Sequence, residues 1–510
     1  MDGQHTASGV LAALLRGGAD GDPALVSPED GQVITYGDLA DRVATLSGRL
    51  ARAGVRRGDR VALALPNSPD FVALILAVTG LGAAAAPLNP AYTGSELEFY
   101  LGDIAPRLLL LPPRHPAGEQ AAATTATPVA VVSSGDAGMP ELSLAGEIVR
   151  AAASFEPGVP DDVALVLHTS GTTSRPKQVP LLQRNIMSSV GTIAAHYRLG
   201  RSDVSFCLMP LFHVHGLIAS AFSSLHLGGT TVVPRRFTPQ RFWPQARQHA
   251  VTWLSAGPTL HQMILERDDG EGAPERLRFT RSCSSALSPA LLARAEDTYG
   301  VPMLEAYGMT EASHQMTSNP LPPAERRPGS VGVPAGAEVG IVGDELAFLP
   351  EGTAGEVVVR GPGITPGYVN NPEANAEAFF GDGWFRTGDF GSLEGGYLTI
   401  RGRIKEIIIR GGENISPVEV EAVLLSHPAV REAVCFGMAD EKYGETVAAA
   451  VTLAEEVEVR ALVEHCRQQL AAVKVPTTVH VLAEIPRTPT GKVQRRRMPA
   501  LLAERGSPPS

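Results

Sequence analysis

Ten consecutive residues, His168-Thr169-Ser170-Gly171-Thr172-Thr173-Ser174-Arg175-Pro176-Lys177, combine hydroxyls, a glycine and two cations. The N–H and O–H groups of such a loop can surround phosphate oxygens, while Arg175 and Lys177 supply the opposing charge. The Walker pattern does not fit, because Pro176 stands at its second glycine and Gln178 follows the lysine. Taken alone, the run reads equally well as an exposed polar loop. Lys492 lies on a Pro/Gly loop, Arg487-Thr488-Pro489-Thr490-Gly491-Lys492, where a lysine is ordinarily a solvated cation. Asp389 closes the turn-like run Arg386-Thr387-Gly388-Asp389. His213-x-His215 has the look of a metal pair, but no third ligand sits at useful spacing, so zinc is not indicated.

These groups need a scaffold. The chain has 510 residues, 44% hydrophobic and 19% charged, which is long enough for a large core and more than one domain. The net charge of −11 argues against a nucleic-acid surface, and it requires any anion site to be a local cluster of Lys, Arg and backbone N–H groups. Cys207, Cys283, Cys435 and Cys466 are scattered without a CxxC pair, as suits a reducing, cytoplasmic setting. The N-terminus lacks a basic stretch followed by an apolar one, so no secretion signal is expected. Phe71 to Pro87 is too short to span a bilayer; with Ser68-Pro69 ahead of it, it reads as the start of a buried helix.

Short β-rich runs such as Arg60–Leu65, Val163–Leu167 and Thr230–Val233 alternate with Ala/Leu-rich segments up to about residue 330. That alternation predicts α/β layers with buried, largely parallel strands. The phosphate-type loop falls between one such run and a helix expected to begin near Leu181. From about Pro328 to Arg401 frequent glycines and short strands predict a compact β subdomain. A further unit follows Gly402, with Ser416 as helix cap, Pro417 at the first position and Glu419 at the capping-box position. The expected division is 1–402, a hinge at 403–406, a small mobile α+β unit at 407–503 and a frayed tail at 504–510.

The segment Thr169–Val179 resembles the phosphate loop of the adenylate-forming superfamily of acyl-CoA synthetases, adenylation domains and luciferases. The resemblance continues in chain order through Pro210–Gly216, Glu305–Glu311, Tyr368 with Asn370, Trp384–Asp389, Gly402–Glu406, Gly411–Pro417 and Pro489–Lys492. The joint order and spacing make it specific, and it covers almost the whole chain. One departure is Gln178, where the family usually has glycine after the loop lysine; loop kinetics are expected to differ.

The resemblance implies an electrostatic task. A carboxylate attacks the α-phosphorus of ATP, so two anions meet as pyrophosphate leaves, and cations and oriented donors must stand where charge accumulates. By resemblance, Thr169, Ser170, Gly171, Thr172, Thr173 and Lys177 hold the β- and γ-phosphates. Thr310 contacts the α-phosphate, and Glu311 positions Mg²⁺, a hard ion that prefers oxygen. Tyr307 stacks on adenine, a strand edge at Ser285-Ala286-Leu287 lines the base, and Asp389 with Arg403 takes the ribose. Lys492 bridges the reacting carboxylate and the α-phosphate. Gly411, Gly412 and Glu413 approach the coenzyme A tunnel in the second half-reaction, with Lys405 at the hinge.

Within the superfamily, the segments Leu167–Lys177, Pro210–Leu217, Ser282–Leu292 and Leu304–Pro323 are most similar to the oxalate–CoA ligase branch. That likeness points to His213, Ser284 and His314 as the acid-pocket residues. Malonate-activating relatives carry an arginine where this chain has Ala306; with no cation at that position, malonate is a less favoured acid. A fatty- or aryl-acid CoA ligase, or an adenylation enzyme loading a carrier protein, stays open. Intact Lys492, Glu311 and Asp389 speak against a catalytically dead relative. The expected ligands are a small carboxylic acid, ATP, Mg²⁺ and coenzyme A, with a homodimer left open.

Overall fold

The computed structural model describes residues 9–135, 138–150, 153–169, 176–487 and 493–504. Among these residues the chain forms four sheets. The first runs Val333–Pro334, His314–Ser318, Met303–Met309, Phe279–Ser282, Trp253–Ala256, Val204–Phe206, Thr230–Val232, Pro23–Val26, Val33–Thr35. Its pairs from Met303–Met309 across to Pro23–Val26 are parallel, and the strands outside them are antiparallel. The second is centred on the parallel strands Val163–His168, Ala84–Pro87, Arg60–Leu63, Leu108–Leu111 and Val129–Ser134. Helices cross between the parallel strands, as buried parallel sheets require.

The helix Pro69–Gly80 shows why sequence and fold agree here. Ser68 accepts from Phe71 N–H, Pro69 takes the first helical position, and every residue from Phe71 to Thr79 is buried. A helix apolar on all faces has to be buried on all faces. Its side chains share one core with Leu25 and Ile34 of the first sheet and Val61, Leu63 and Leu108 of the second. The strand Ala84–Pro87 follows it, so the apolar run Phe71–Pro87 holds two elements.

Residues 338–403 form the expected β subdomain, an antiparallel sheet of Glu338–Val342, Ala354–Arg360, Trp384–Glu394, Phe379–Phe380 and Tyr397–Arg403. A single turn of 3₁₀ helix, Ile404–Glu406, leads from its last strand into the smaller C-terminal α+β unit. There Glu413–Ile415, Ile408–Arg410, Gly444–Leu453 and Val430–Asp440 pair antiparallel, with Thr478–Val481 parallel at the side. The helices Pro417–Leu425 and Val459–Gln469 pack on this sheet through Val420, Leu424, Leu462 and Cys466. The chain is thus mixed α/β, a large N-terminal part carrying a smaller C-terminal one.

Two local expectations fail. The helix expected near Leu181 begins at Gln183, because Gln178–Leu182 is a buried strand antiparallel to Val163–His168. Short apolar runs fit either state, and pairing decides between them. Ser416 does cap its helix by accepting from Glu419 N–H, but the Glu419 carboxylate goes to Lys474 Nζ at 2.6 and 2.8 Å. An ammonium is the stronger partner for a carboxylate than the cap's own N–H.

Candidate active site

The phosphate-type loop is the tip of a hairpin. His168 pairs with Gln178 across the strands, Thr169 N–H donates to Lys177 O at 3.0 Å, and Lys177 N–H donates to Thr169 Oγ1 at 3.2 Å. Ser170, Gly171, Thr172 and Thr173 lie outside the described residues. Lys177 Nζ stands 4.6 Å over the Tyr368 ring, and the Tyr368 hydroxyl donates to Glu311 Oε1 at 3.0 Å. Cation, phenol and carboxylate thus line up at the base of the loop.

Glu311 belongs to a 3₁₀ turn, Thr310–Ala312, that ends the strand Met303–Met309. Brought to the carboxyl end of a parallel strand, Thr310 and Glu311 stand where open α/β sheets bind ligands. Glu311 is 7% exposed; its oxygen donors are of the kind a hard cation takes.

On the same strand, the Tyr307 hydroxyl donates to Asp389 Oδ2. Arg403 Nε pairs with Asp389 Oδ1 at 3.2 Å, the two residues being in register on adjacent strands. Asp389 is 5% exposed, and its own N–H donates to Thr387 Oγ1 at 3.0 Å. Burial, reinforced by the Asp389 charge, keeps the Tyr307 phenol protonated. The Asp389 carboxylate raises the Arg403 pKa further. Ser285 and Ala286 are exposed on the loop between the strand Phe279–Ser282 and the helix Pro289–Tyr299, so the expected strand edge is a loop. The strand stops at Ser282 and the backbone turns at Ser284, whose φ of 78° is incompatible with extension.

The residues expected to take the acid surround a group that sequence reasoning missed. Arg281, in the strand Phe279–Ser282, is 0% exposed. Its Nε donates to Tyr197 Oη at 2.8 Å. Nη1 reaches Ser255 Oγ at 2.8 Å and His215 Nε2 at 3.4 Å, and Nη2 reaches Gln315 Oε1 at 3.2 Å and His314 Nδ1 at 3.4 Å. His215 Nδ1 meets Ser284 Oγ at 3.0 Å, and the His215 and His314 rings lie 4.9 Å apart. His213 Nδ1 accepts from His215 N–H at 3.2 Å, which brings all three expected acid-pocket residues to one cluster through His215. His215 opens a wide π-type helical turn, His215–Phe222. Gly216 lets that turn pack tightly, since a Cβ there would lie 2.4 Å from Pro210 O. Such turns recur at functional sites. Burial, then the Arg281 charge, holds His215 and His314 well below the usual histidine range, so both are neutral.

Arg281 left a signal in the sequence, an arginine inside a strand whose neighbours are otherwise buried. Among the described residues no group of three or more His, Cys, Asp or Glu is placed to hold a metal ion.

In the C-terminal unit, Lys405 lies exposed in the turn Ile404–Glu406, and Gly411, Gly412 and Glu413 form an exposed hairpin tip with φ of 61° and 87° at the glycines. Lys492 lies outside the described residues; the segments beside it are joined by the bridge Arg487↔Val493 and by Gln494 Nε2 to Arg487 O at 3.0 Å.

The chain matches the AMP-binding enzyme model over residues 16–369 and the AMP-binding enzyme C-terminal domain model over residues 419–492. It is 46% identical to an oxalate–CoA ligase of Arabidopsis thaliana, over 91% of this chain and 92% of that protein. It is 41% identical to an oxalate–CoA ligase of Saccharomyces cerevisiae, over 93% of both. The ATP-bound MatB of Rhodopseudomonas palustris superposes with a TM-score of 0.88 at 28% identity, over 98% of this chain and 100% of that one.

Proposed function

The chain belongs to the AMP-binding enzyme family, and from that membership we propose that it is an AMP-forming acid–CoA ligase whose acid is a small dicarboxylate such as oxalate. The acid and ATP give an acyl-adenylate and pyrophosphate; the thiol of coenzyme A then takes the acyl group and releases AMP. Carbon–sulfur bond formation balances loss of the acyl–phosphate bond, and the thiol proton leaves to solvent.

The observation that carries the acid class is the cluster of neutral donors around Ser284, His215 and His314, backed by the buried Arg281 cation. An acyl pocket for a fatty or aryl chain needs apolar walls at that place. The two relatives named oxalate–CoA ligase support the same reading.

In this reading Thr169, Ser170–Thr173 and Lys177 bind the outer phosphates, Thr310 the α-phosphate, and Asp389 with Arg403 the ribose hydroxyls. Tyr307, Ser285 and Ala286 face the base. Glu311 would hold Mg²⁺, which supplies charge neutralisation between phosphates when bound. The Tyr368 hydroxyl orients the Glu311 carboxylate for it. Lys492 stands between the acid and the α-phosphate in the first step. Gly411, Gly412 and Glu413 serve the second after the unit 407–503 turns about 403–406, with Lys405 on the hinge and 1–402 fixed.

The test is pyrophosphate release with oxalate, malonate, acetate, octanoate and 4-coumarate, with and without coenzyme A. Oxalate is expected to give the highest kcat/KM and a coenzyme A thioester. Turnover of octanoate without oxalate overturns the acid class, and absence of ATP–pyrophosphate exchange with every acid overturns adenylation.

A further inference from the structure

We infer that Arg281 determines the acid specificity: it fixes His215 and His314 in the tautomers that present hydrogen-bond donors to the acid, and it supplies the positive charge that selects a second carboxylate. The inference rests on the dicarboxylate reading above and names the group behind it.

The derivation starts from what a guanidinium can do. It has five N–H donors and no acceptor, and it keeps its charge. Arg281 makes five contacts, to Tyr197, Ser255, His215, His314 and Gln315. All five acceptors are neutral groups. Burying a cation with no carboxylate beside it is costly, and such sites cluster where chemistry or recognition needs the charge. A bound anion would offset that cost.

The donors also set proton positions. Nη1 donates to Ser255 Oγ at 2.8 Å, and Ser255 Oγ is 2.6 Å from His215 Nε2. With Nη1 itself 3.4 Å from the same nitrogen, Nε2 is an acceptor on both counts. The His215 proton is therefore on Nδ1, which donates to Ser284 Oγ at 3.0 Å. The Ser284 hydroxyl is left with its own proton to give away. His314 follows the same rule. Nδ1 accepts from Nη2 at 3.4 Å, so the proton is on Nε2, which has no hydrogen-bond partner among the described residues although His314 is 3% exposed. Two donors thus point away from Arg281: Ser284 O–H, reached through His215, and His314 Nε2–H. A carboxylate has two oxygens and accepts both.

The backbone is strained at the same two places. Ser284 has φ 78° and His314 φ 97°, values that bulky L residues rarely adopt. Strain of this kind persists at ligand clamps, where the surroundings impose it.

The experiment uses the full-length enzyme and oxalate, with acetate as the acid lacking a second carboxylate. Arg281→Gln is expected to raise the oxalate KM about tenfold to a hundredfold, the value of one or two hydrogen bonds to a charged group. The acetate and ATP KM values stay within about threefold of wild type. Arg281→Lys, which restores charge with fewer donors, recovers part of the oxalate preference.

Removing Arg281 takes away the second cause that keeps His215 and His314 neutral, burial being the first and remaining in place, so both rings take up protons more readily than in wild type; the titratable groups still facing them are His213, with His261 for His215 and His215 for His314. The Gln variant's oxalate KM should then fall as pH is lowered, over a range where wild type stays flat. A purely structural role would depress both acids alike and show no such pH profile. Independently of any variant, ¹⁵N-histidine NMR of the wild-type protein should show neutral His215 protonated on Nδ1 and neutral His314 on Nε2. The opposite tautomers overturn the inference. A wild-type enzyme that prefers oxalate while folded Arg281→Gln keeps that preference overturns it alone; a wild-type enzyme with no preference for oxalate over acetate overturns the dicarboxylate reading and this inference with it.

Discussion

His168 and Gln178, the residues on either side of the phosphate-type loop, converge on one oxygen: Asp103 Oδ2 lies 2.9 Å from His168 Nε2 and 2.8 Å from Gln178 Nε2. Gln178 Nε2 also donates to Asp103 O at 2.7 Å, and its Oε1 accepts from Arg60 Nη1 at 3.1 Å. The loop is therefore tied at both ends to the helix Gly94–Ile104. The glycine usual in relatives at this position makes none of these bonds. Gln178→Gly is expected to raise the ATP KM roughly threefold to thirtyfold, each bond being worth about 0.5–1.5 kcal/mol. Proteolysis between 168 and 178 should quicken in parallel. Unchanged ATP affinity and unchanged cleavage would show that the clamp does not order the loop.

Asp389 joins two partners of different kind, Arg403 by charge and Tyr307 by its hydroxyl. Asp389→Asn keeps the shape and loses the charge. It is expected to raise the ATP KM about tenfold to a hundredfold while leaving the acid KM alone. Tyr307→Phe keeps the ring, so a stacking role predicts less than about a threefold effect. Kinetics with ATP and acid varied separately decide this, and a Tyr307→Phe loss as large as that of Asp389→Asn would mean that the hydroxyl, not the ring, matters.

The grouping of the residues expected at the nucleotide was legible because they come as local runs. Thr310 and Glu311 share a turn, and Arg386–Asp389 shares a strand with its neighbours, so spacing alone keeps them together. Arg281 was illegible for the opposite reason. Its partners come from four separate places, Tyr197 at the end of the helix Gln183–His196, His215 on the turn His215–Phe222, Ser255 on Trp253–Ala256, and His314 with Gln315 on His314–Ser318, and only the sheet order places the strands of Ser255, Arg281 and His314 near one another. The spacing His213-x-His215 lacked a third ligand for a metal and gave His215 no other role, because spacing cannot show that its ring faces a guanidinium. Ala306 leaves its own position without a cation, and Arg281 stands on the strand paired beside it. Ser285-Ala286-Leu287 looked like a strand edge because nothing in Ser282-Cys283-Ser284-Ser285 announces the positive φ at Ser284.

Arg495 ties the C-terminal unit to the turn Ile404–Glu406, where we propose the hinge. Its Nε pairs with Glu406 Oε2 at 2.9 Å, its Nη groups hold Glu421, and Nη1 donates to Cys435 O at 2.6 Å. It stands three residues beyond Lys492 and next to the bridge Arg487↔Val493. Removing one partner of so buried a network costs about 3–5 kcal/mol. Arg495→Ala should therefore unfold the C-terminal unit early and weaken both half-reactions. Lys492→Ala is expected to change stability by less than about 0.5 kcal/mol. It should cut adenylate formation about 10²- to 10³-fold. Thioester formation from supplied acyl-adenylate should survive. Equal loss of the two steps in Lys492→Ala would refute the division of labour between the faces of the unit.

Glu305 offers a stability test that does not depend on the reaction. Its carboxyl is buried beside Gly329 N–H, which donates to Oε2 at 2.9 Å. Burial pushes its pKa up from the ordinary value of 4.5 to about 7, with Gly329 and Arg326 opposing. A folded-state pKa above the unfolded one means that the protonated group favours the fold. Its contribution is complete below the unfolded value and is lost as pH rises through the folded one, so stability declines across that window. The loss is at most about 3 kcal/mol. Glu305→Gln cannot ionise, yet its side-chain oxygen can still accept from Gly329. It should therefore melt a few degrees above wild type near pH 8 and lose that advantage near pH 5. Thermal unfolding at the two pH values measures it. An advantage of equal size at both would place its origin in packing, because only an ionisation can make the gain depend on pH.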